Sequence, residues 1–232
     1  METTIKLSER LQMVAGFLKK GTYFADIGSD HAYLPCYVCL SDLEARAVAG
    51  ELNQGPYDSA CSTVKEYKLE QRISVRLGDG LSVLSPGEVE EVAIAGMGGA
   101  LIASILEAGI DKLSGVHKIV AQPNVDARST RNWLANHGYA IKNEAILKEK
   151  GHIYEIIAAE KIDVPIALTP KEALFGPLLL QNKTSVFVEK WVEEAEKLDR
   201  ALLQMENATH KNEVKFLQFK RERTWIKEVL KL

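Results

Sequence analysis

Apolar residues in this chain recur first at helical spacing and then in short β-branched runs, and the change of period marks where a sheet begins. Leu11, Val14, Ala15 and Leu18 share one helical face behind Ser8, a residue suited to the N-cap, with Gly21 as the expected stop. Five runs follow: Phe24 to Ile27, Ala47 to Gly50, Ile73 to Leu77, Val92 to Ala95, and Ile119 to Ala121. The stretches between them are long enough for helices, and Ala32 to Leu40 is apolar enough to pack on a sheet. This alternation predicts a parallel, doubly wound α/β sheet whose strands are covered on both faces. Tyr139 to Leu147 and Ile153 to Ala159 break the rule, because only Lys148 to His152 separate them, with Gly151 at the turn. That spacing suits an antiparallel hairpin.

Around Asp163 to Pro170 the strand pattern stops, and Thr169, Pro170 and Glu172 supply a cap, a first-turn proline and a third-position acid. The expected division is therefore 1–165 for the sheet and 166–232 for a helical part. After Gly176-Pro177, residues Trp191, Ala195, Leu198, Leu202 and Met205 recur at steps of four and three. The ladder resumes at Phe216, Phe219, Ile226 and Leu230, beyond the polar stretch Asn207 to Asn212. Two long helices in an antiparallel coiled-coil hairpin account for this; one continuous helix feeding a dimer is the competing geometry.

With 232 residues, 46% hydrophobic and 26% charged, the chain can bury one sizeable core with an appendage. No run approaches the roughly 18 apolar residues of a membrane helix, and Met1 to Lys6 carry no signal-like segment, so the expectation is a cytoplasmic protein without a membrane. Cys36 and Cys39 form a lone C-x-x-C, read as two small apolar helix residues, and His117, His137, His152 and His210 lack ligand spacing, so no metal is expected. Net charge is −3, yet the end of the chain is basic: Lys215, Lys220, Arg221 and Arg223 interleave with Phe216, Phe219 and Trp225 after Lys211. A nucleic-acid surface and a solvated helix face both fit that pattern.

The chemistry sits where strands end. Asp26-Ile27-Gly28-Ser29-Asp30-His31 closes the first run with an acidic, glycine-bearing turn, but Asp30 and Tyr33 occupy the positions where a dinucleotide fingerprint needs glycine. A diphosphate would meet a carboxylate there, which argues against a nicotinamide oxidoreductase. Glu51 ends the second run, about 25 residues after Asp26, near the spacing of a ribose-binding acid, or is an exposed strand-end acid. Asp79 and Gly80 follow the third, where an acid can take the hydrogen bond of an adenine amino group or simply make an Asp-Gly turn. Gly96-Met97-Gly98-Gly99 at the end of the fourth either permits close approach of a planar ligand or makes a tight strand-to-helix turn. Gln122-Pro123-Asn124 ends the fifth with two amides, either base-reading groups or a Pro-Asn turn, and His31 either orients its neighbours or acts directly.

A mostly parallel sheet closed by a hairpin resembles the class I methyltransferases. Asp26 to Pro35, Gly78-Asp79-Gly80-Leu81, Ala95 to Gly99 and Gln122-Pro123-Asn124, with Leu7 to Leu11 before them, resemble more narrowly the bacterial tRNA (adenine(22)-N1)-methyltransferase family, TrmK, over nearly the whole chain. The resemblance implies a Rossmann-like sheet with a C-terminal coiled-coil domain that contacts tRNA, and methyl transfer from S-adenosylmethionine to N1 of an adenine in the D-arm. It places the cofactor against Asp26, Gly28, Ser29, Glu51, Asp79, Gly80, Gly96, Met97 and Gly98. Asp30, His31, Tyr33 and Asn124 are the expected catalytic group, with Asp30 either accepting from the target amine or capping the next helix. Arg10, Lys220, Arg221 and Arg223 are the expected RNA contacts, and no obligatory protein partner is evident. A methyltransferase for another RNA site or a small molecule, and a coiled-coil RNA-binding adaptor, are the alternatives.

Overall fold

The computed structural model describes residues 5–164, 166–208 and 212–231. Met1, Pro165 at the expected boundary, and His210 and Lys211 of the polar stretch lie outside them. The parallel strands are β1 (Tyr23–Ile27), β2 (Arg46–Glu51), β3 (Ile73–Leu77), β4 (Glu91–Gly98) and β5 (Lys118–Val125). Strands β6 (Tyr139–Glu149) and β7 (His152–Lys161) form the hairpin, with β7 antiparallel to β5. The sheet order is β3-β2-β1-β4-β5-β7-β6. The hairpin turn is Lys150-Gly151, both at positive φ (49° and 82°), the tight two-residue geometry that matches strand twist.

Helices α1 (Glu9–Phe17), α2 (Tyr33–Ser41) and α3 (Gln54–Glu66) cover one face, and α4 (Gly99–Ala108) and α5 (Ala127–Asn136) the other. Phe24, Ala47 and Ala93 enter one core while Ala25, Val48 and Val92 enter the other, which is why these strands read as unbroken apolar runs. Cys36 and Cys39 are sealed in the first core, where burial pushes their thiols up to about 12 and about 11. Chain order runs outward from β1 to β3 and then returns to β4 beside β1. At that switch point the loops diverge and open a crevice at the carboxyl edge.

Two boundaries differ from expectation. Helix α1 is capped by Ser8, whose hydroxyl accepts from Leu11 N, but stops at Phe17, short of Gly21, because the Leu18 N–H already closes on Ala15 O. Strands β4 and β5 run past their apolar cores to Gly98 and Val125, so Pro123-Asn124 is strand and makes no turn.

Thr169 and Glu172 exchange both hydrogen bonds of a capping box to start α6 (Pro170–Phe175). Beyond it, α7 (Ser185–Glu206) and α8 (Glu213–Leu230) lie antiparallel, since Asp199 meets Arg223 while Lys183 meets Val229 O, and the single continuous helix is excluded. Phe175, Leu179, Phe187, Trp191, Ala195 and Ile226 form their core. Arg131 of α5, fully buried, joins this part to the sheet: it pairs with Glu144 of β6 at 2.7 Å and Glu155 of β7 at 2.8 Å, and donates to Ala173 O and Leu174 O. Burial opposes ionisation of Glu155, but Arg131 and Lys190 outweigh it and hold its carboxyl below the usual range. Among the described residues, no helix is long and apolar enough to cross a membrane.

Candidate active site at the carboxyl edge of the sheet

The loop after β1 is conformationally demanding. Gly28 is followed by three consecutive non-glycine residues at positive φ, Asp30 (49°), His31 (71°) and Ala32 (58°), a run that costs of order 1–3 kcal/mol per residue unless its surroundings impose it. Glu51, at the end of β2, lies against this loop, where the backbone N–H groups of Asp30 and His31 favour its charged carboxylate. Burial pushes the Glu51 carboxyl up and those two N–H groups pull it back. Oε1 of Glu51 remains buried with no partner. A ribose hydroxyl would satisfy it, and an unsatisfied buried acceptor costs about 1–3 kcal/mol otherwise.

The twist of this loop decides what faces outward. Ala32 caps α2 without a side-chain hydrogen bond, so the capping alternative for Asp30 is excluded; its side chain is 86% exposed, with His31 Nε2 3.4 Å away. Tyr33 is half exposed, its ring centroid 5.5 Å from that of His31. Inside, Ser29 Oγ donates to buried Asp26 at 2.6 Å. Burial raises the Asp26 carboxyl to about 7 against that hydrogen bond, helped by the charges of Glu51 and Asp30.

On the neighbouring strand, Gly96 (φ 81°) opens a bulge in β4, where the register against β5 shifts between Ala95 and Met97 and again at Gly98. The bulge carries Met97 over Gly28, so close that a Cβ there would lie 2.1 Å from the methionine methyl. Asp79 and Gly80 border a cavity of about 440 Å³ with Leu101, Ser104 and Ile105. Its volume and mixed lining suit a nucleoside. Sequence reasoning missed Leu101, 53% exposed, which lines this cavity.

The two β5 amides part company. Gln122 is fully buried and spent: its Oε1 accepts from Gly96 N at 3.0 Å and from the Arg10 guanidinium, and its Nε2 donates to Asn124 at 3.1 Å. Asn124 stays exposed at the rim, with Nδ2 donating to Gly96 O at 2.7 Å. Arg10 is thus inside the site, over the Tyr154 ring at 5.3 Å. On α8, whose Glu222 and Ile226 line a groove of about 690 Å³ together with Asn124 and Tyr154, Lys220 and Arg221 are exposed and lie over Phe216 and Trp225, whereas Arg223 makes a two-pronged pair with Asp199 at 2.8 and 3.0 Å. The expected sheet residues thus follow or end strands at the carboxyl edge, while Lys220, Arg221 and Arg223 lie on α8 and do not line the groove that Glu222 and Ile226 share with Asn124.

Comparison with known proteins gives this edge a family. The model of the family described as tRNA (adenine(22)-N(1))-methyltransferase matches residues 24–224. A Bacillus subtilis protein of that description is 44% identical, over 97% of this chain and 98% of its own. The crystal structure of the B. subtilis m1A22 tRNA methyltransferase TrmK is similar with a TM-score of 0.91 at 42% identity, covering 97% of this chain and 99% of that one. A Streptococcus pneumoniae structure in complex with S-adenosyl-L-methionine has a TM-score of 0.86 at 39% identity, over 97% and 100% of the two chains. With the likeness running almost end to end and the crevice built from the strand ends where such a site belongs, the chain belongs to the tRNA (adenine(22)-N(1))-methyltransferase family.

Proposed function

We infer that this chain is an S-adenosylmethionine-dependent tRNA methyltransferase that methylates N1 of adenine 22 in the D-arm. The near full-length likeness to the B. subtilis enzyme carries the reading. The crevice agrees with it through the unpartnered Glu51 Oε1.

The residues present suit the cofactor. Glu51 Oε1 would accept from its ribose, Asp79 from its adenine amine, and Gly28, Ser29, Gly80, Gly96, Met97 and Gly98 would line the path, with Asp26 beneath. When bound, S-adenosylmethionine supplies a methyl group on a sulfonium whose leaving thioether is neutral. Adenine N1 attacks with its own lone pair: one N–C bond forms, one C–S bond breaks, and no proton need leave first. The purine ends cationic, so the protein's task is alignment and stabilisation of that charge. Asp30, exposed beside the crevice and held by the strained loop, would accept from the target N6 amine and draw positive charge toward it, while His31, Tyr33 and Asn124 hold the ring.

Because N1 lies on the Watson–Crick edge, the base must leave its stack to reach Asp30. The helical part, residues 166–232, would then track tRNA backbone through Lys220 and Arg221, and a cytoplasmic location follows from the substrate. Incubation of unmodified tRNA with the purified chain and S-adenosylmethionine, followed by mass-spectrometric mapping of nucleosides, should place 1-methyladenosine at position 22. No methylation of any transcript, in conditions where a control enzyme succeeds, would overturn the assignment.

A further inference from the structure

The amides of Gln122 and Asn124 cannot turn over. Gln122 Oε1 faces a peptide N–H and a guanidinium, which only donate; Asn124 Nδ2 faces the Gly96 carbonyl, which only accepts. Gln122 Nε2 on Asn124 Oδ1 ties the two together, so reversing either amide would set donor against donor or acceptor against acceptor. Arg10, the one side chain in this chain of contacts that comes from outside the sheet, is fixed in turn over the Tyr154 ring. Exposed Asn124 then keeps one N–H and one oxygen lone pair for something outside the protein.

An acceptor and a donor side by side complement two edges of adenine, N6 with N1 and N6 with N7. N1 must face the methyl donor, which leaves the second edge. We propose that Asn124 is the specificity-determining residue, reading the N6 and N7 positions of the target adenine, and that Arg10 is a positioning residue that locks its polarity through Gln122. The proposal rests on the methyltransferase reading above. Guanine is rejected because its O6 would oppose the Asn124 oxygen, and pyrimidines offer no N7. Asp30 follows β1 and Asn124 ends β5, with β4 between them, so the other N6 hydrogen remains for the Asp30 carboxylate.

The test is single-turnover methylation of tRNA carrying 7-deazaadenine at position 22, against unmodified tRNA. Loss of N7 also changes N1 basicity, so the informative quantity is the ratio of the two rates in wild type divided by the same ratio in Asn124→Ala. One hydrogen bond predicts a quotient of roughly 2- to 12-fold in favour of the natural base for wild type. Arg10→Met should shrink the discrimination while the salt dependence of tRNA binding stays put, with S-adenosylhomocysteine affinity and melting temperature reporting an intact fold. A quotient of one overturns the role of Asn124. Full discrimination in Arg10→Met, with a flatter salt slope, overturns the lock and makes Arg10 a phosphate contact. The wild-type rate on unmodified tRNA reports the underlying activity independently.

Discussion

Ser29 Oγ donates to Asp26 Oδ2 at 2.6 Å beneath the crevice, yet the Asp26 carboxyl is pushed up to about 7 because burial outweighs that bond. The native state therefore holds a proton that the unfolded chain gives up near pH 4. Stability from this group is full below that pH and is lost as pH rises through about 7. In Asp26→Asn the loss disappears. The melting temperature of the variant relative to wild type should climb between about pH 5 and about pH 7.5; a constant difference would mean that Asp26 is already ionised at the low end.

Glu51 Oε1 is buried without a partner, and the backbone N–H groups of Asp30 and His31 favour the charged carboxylate. Glu51→Gln should weaken S-adenosylhomocysteine by about 10-fold or more, the worth of a hydrogen bond to a charged group, as measured by calorimetry. An unchanged dissociation constant would leave the ribose elsewhere. Because the same residue lies against the Asp30 loop, turnover should fall further than affinity.

Much of this edge was legible because strand ends advertise themselves. Asp26, Glu51, Asp79 and Gly96 each close an apolar run, and a parallel sheet brings such closures together. The hairpin was legible for the same reason, since Lys148 to His152 is too short for a helix. What stayed hidden needed partners distant in sequence. Arg10 finds Gln122 across 112 residues, a contact that no periodicity announces. Arg223 reads as one cation among several, but Asp199 on the facing helix takes its charge. Arg131 sits in an amphipathic helix like a surface residue until Glu144 and Glu155 close around it. Periodicity places a residue on a face; it does not say which opposite charge waits there.

Two glycines separate backbone strain from packing. Gly176 (φ 88°) would carry a Cβ 2.7 Å from both Arg131 Nη2 and Glu144 Oε1, whereas Gly151 (φ 82°) has nothing within 4 Å. Gly151→Ala should cost about 1–2 kcal/mol, from left-handed strain alone. Gly176→Ala also pries at a buried ion pair whose disruption costs about 3–5 kcal/mol, so its loss in chemical denaturation should be clearly the larger. Equal losses would show that the Arg131 network yields without penalty.

On α8, exposed Lys220 and Arg221 have aromatic neighbours, while Arg223 is paired with Asp199. Joint reversal to glutamate at Lys220 and Arg221 should weaken tRNA binding and flatten its dependence on salt, because fewer phosphates are neutralised. Arg223→Ala should instead lower the melting temperature and leave that slope alone. If all three changes leave both affinity and slope unmoved, α8 does not track the RNA backbone.

Asp30 carries the sharpest separation between binding and chemistry. The Glu51 carboxylate is favoured by the backbone N–H of Asp30 and not by its side chain, so Asp30→Ala keeps Glu51 and its surroundings in place. Cofactor affinity should therefore change little. Turnover should fall about 100-fold, the scale on which one well-placed stabilising group acts on developing charge. Asp30→Asn discriminates further, since it retains an acceptor oxygen for N6 but not the negative charge. A rate near that of alanine would assign the effect to electrostatics, a rate near wild type to the hydrogen bond, and full activity in Asp30→Ala would remove this residue from the reaction.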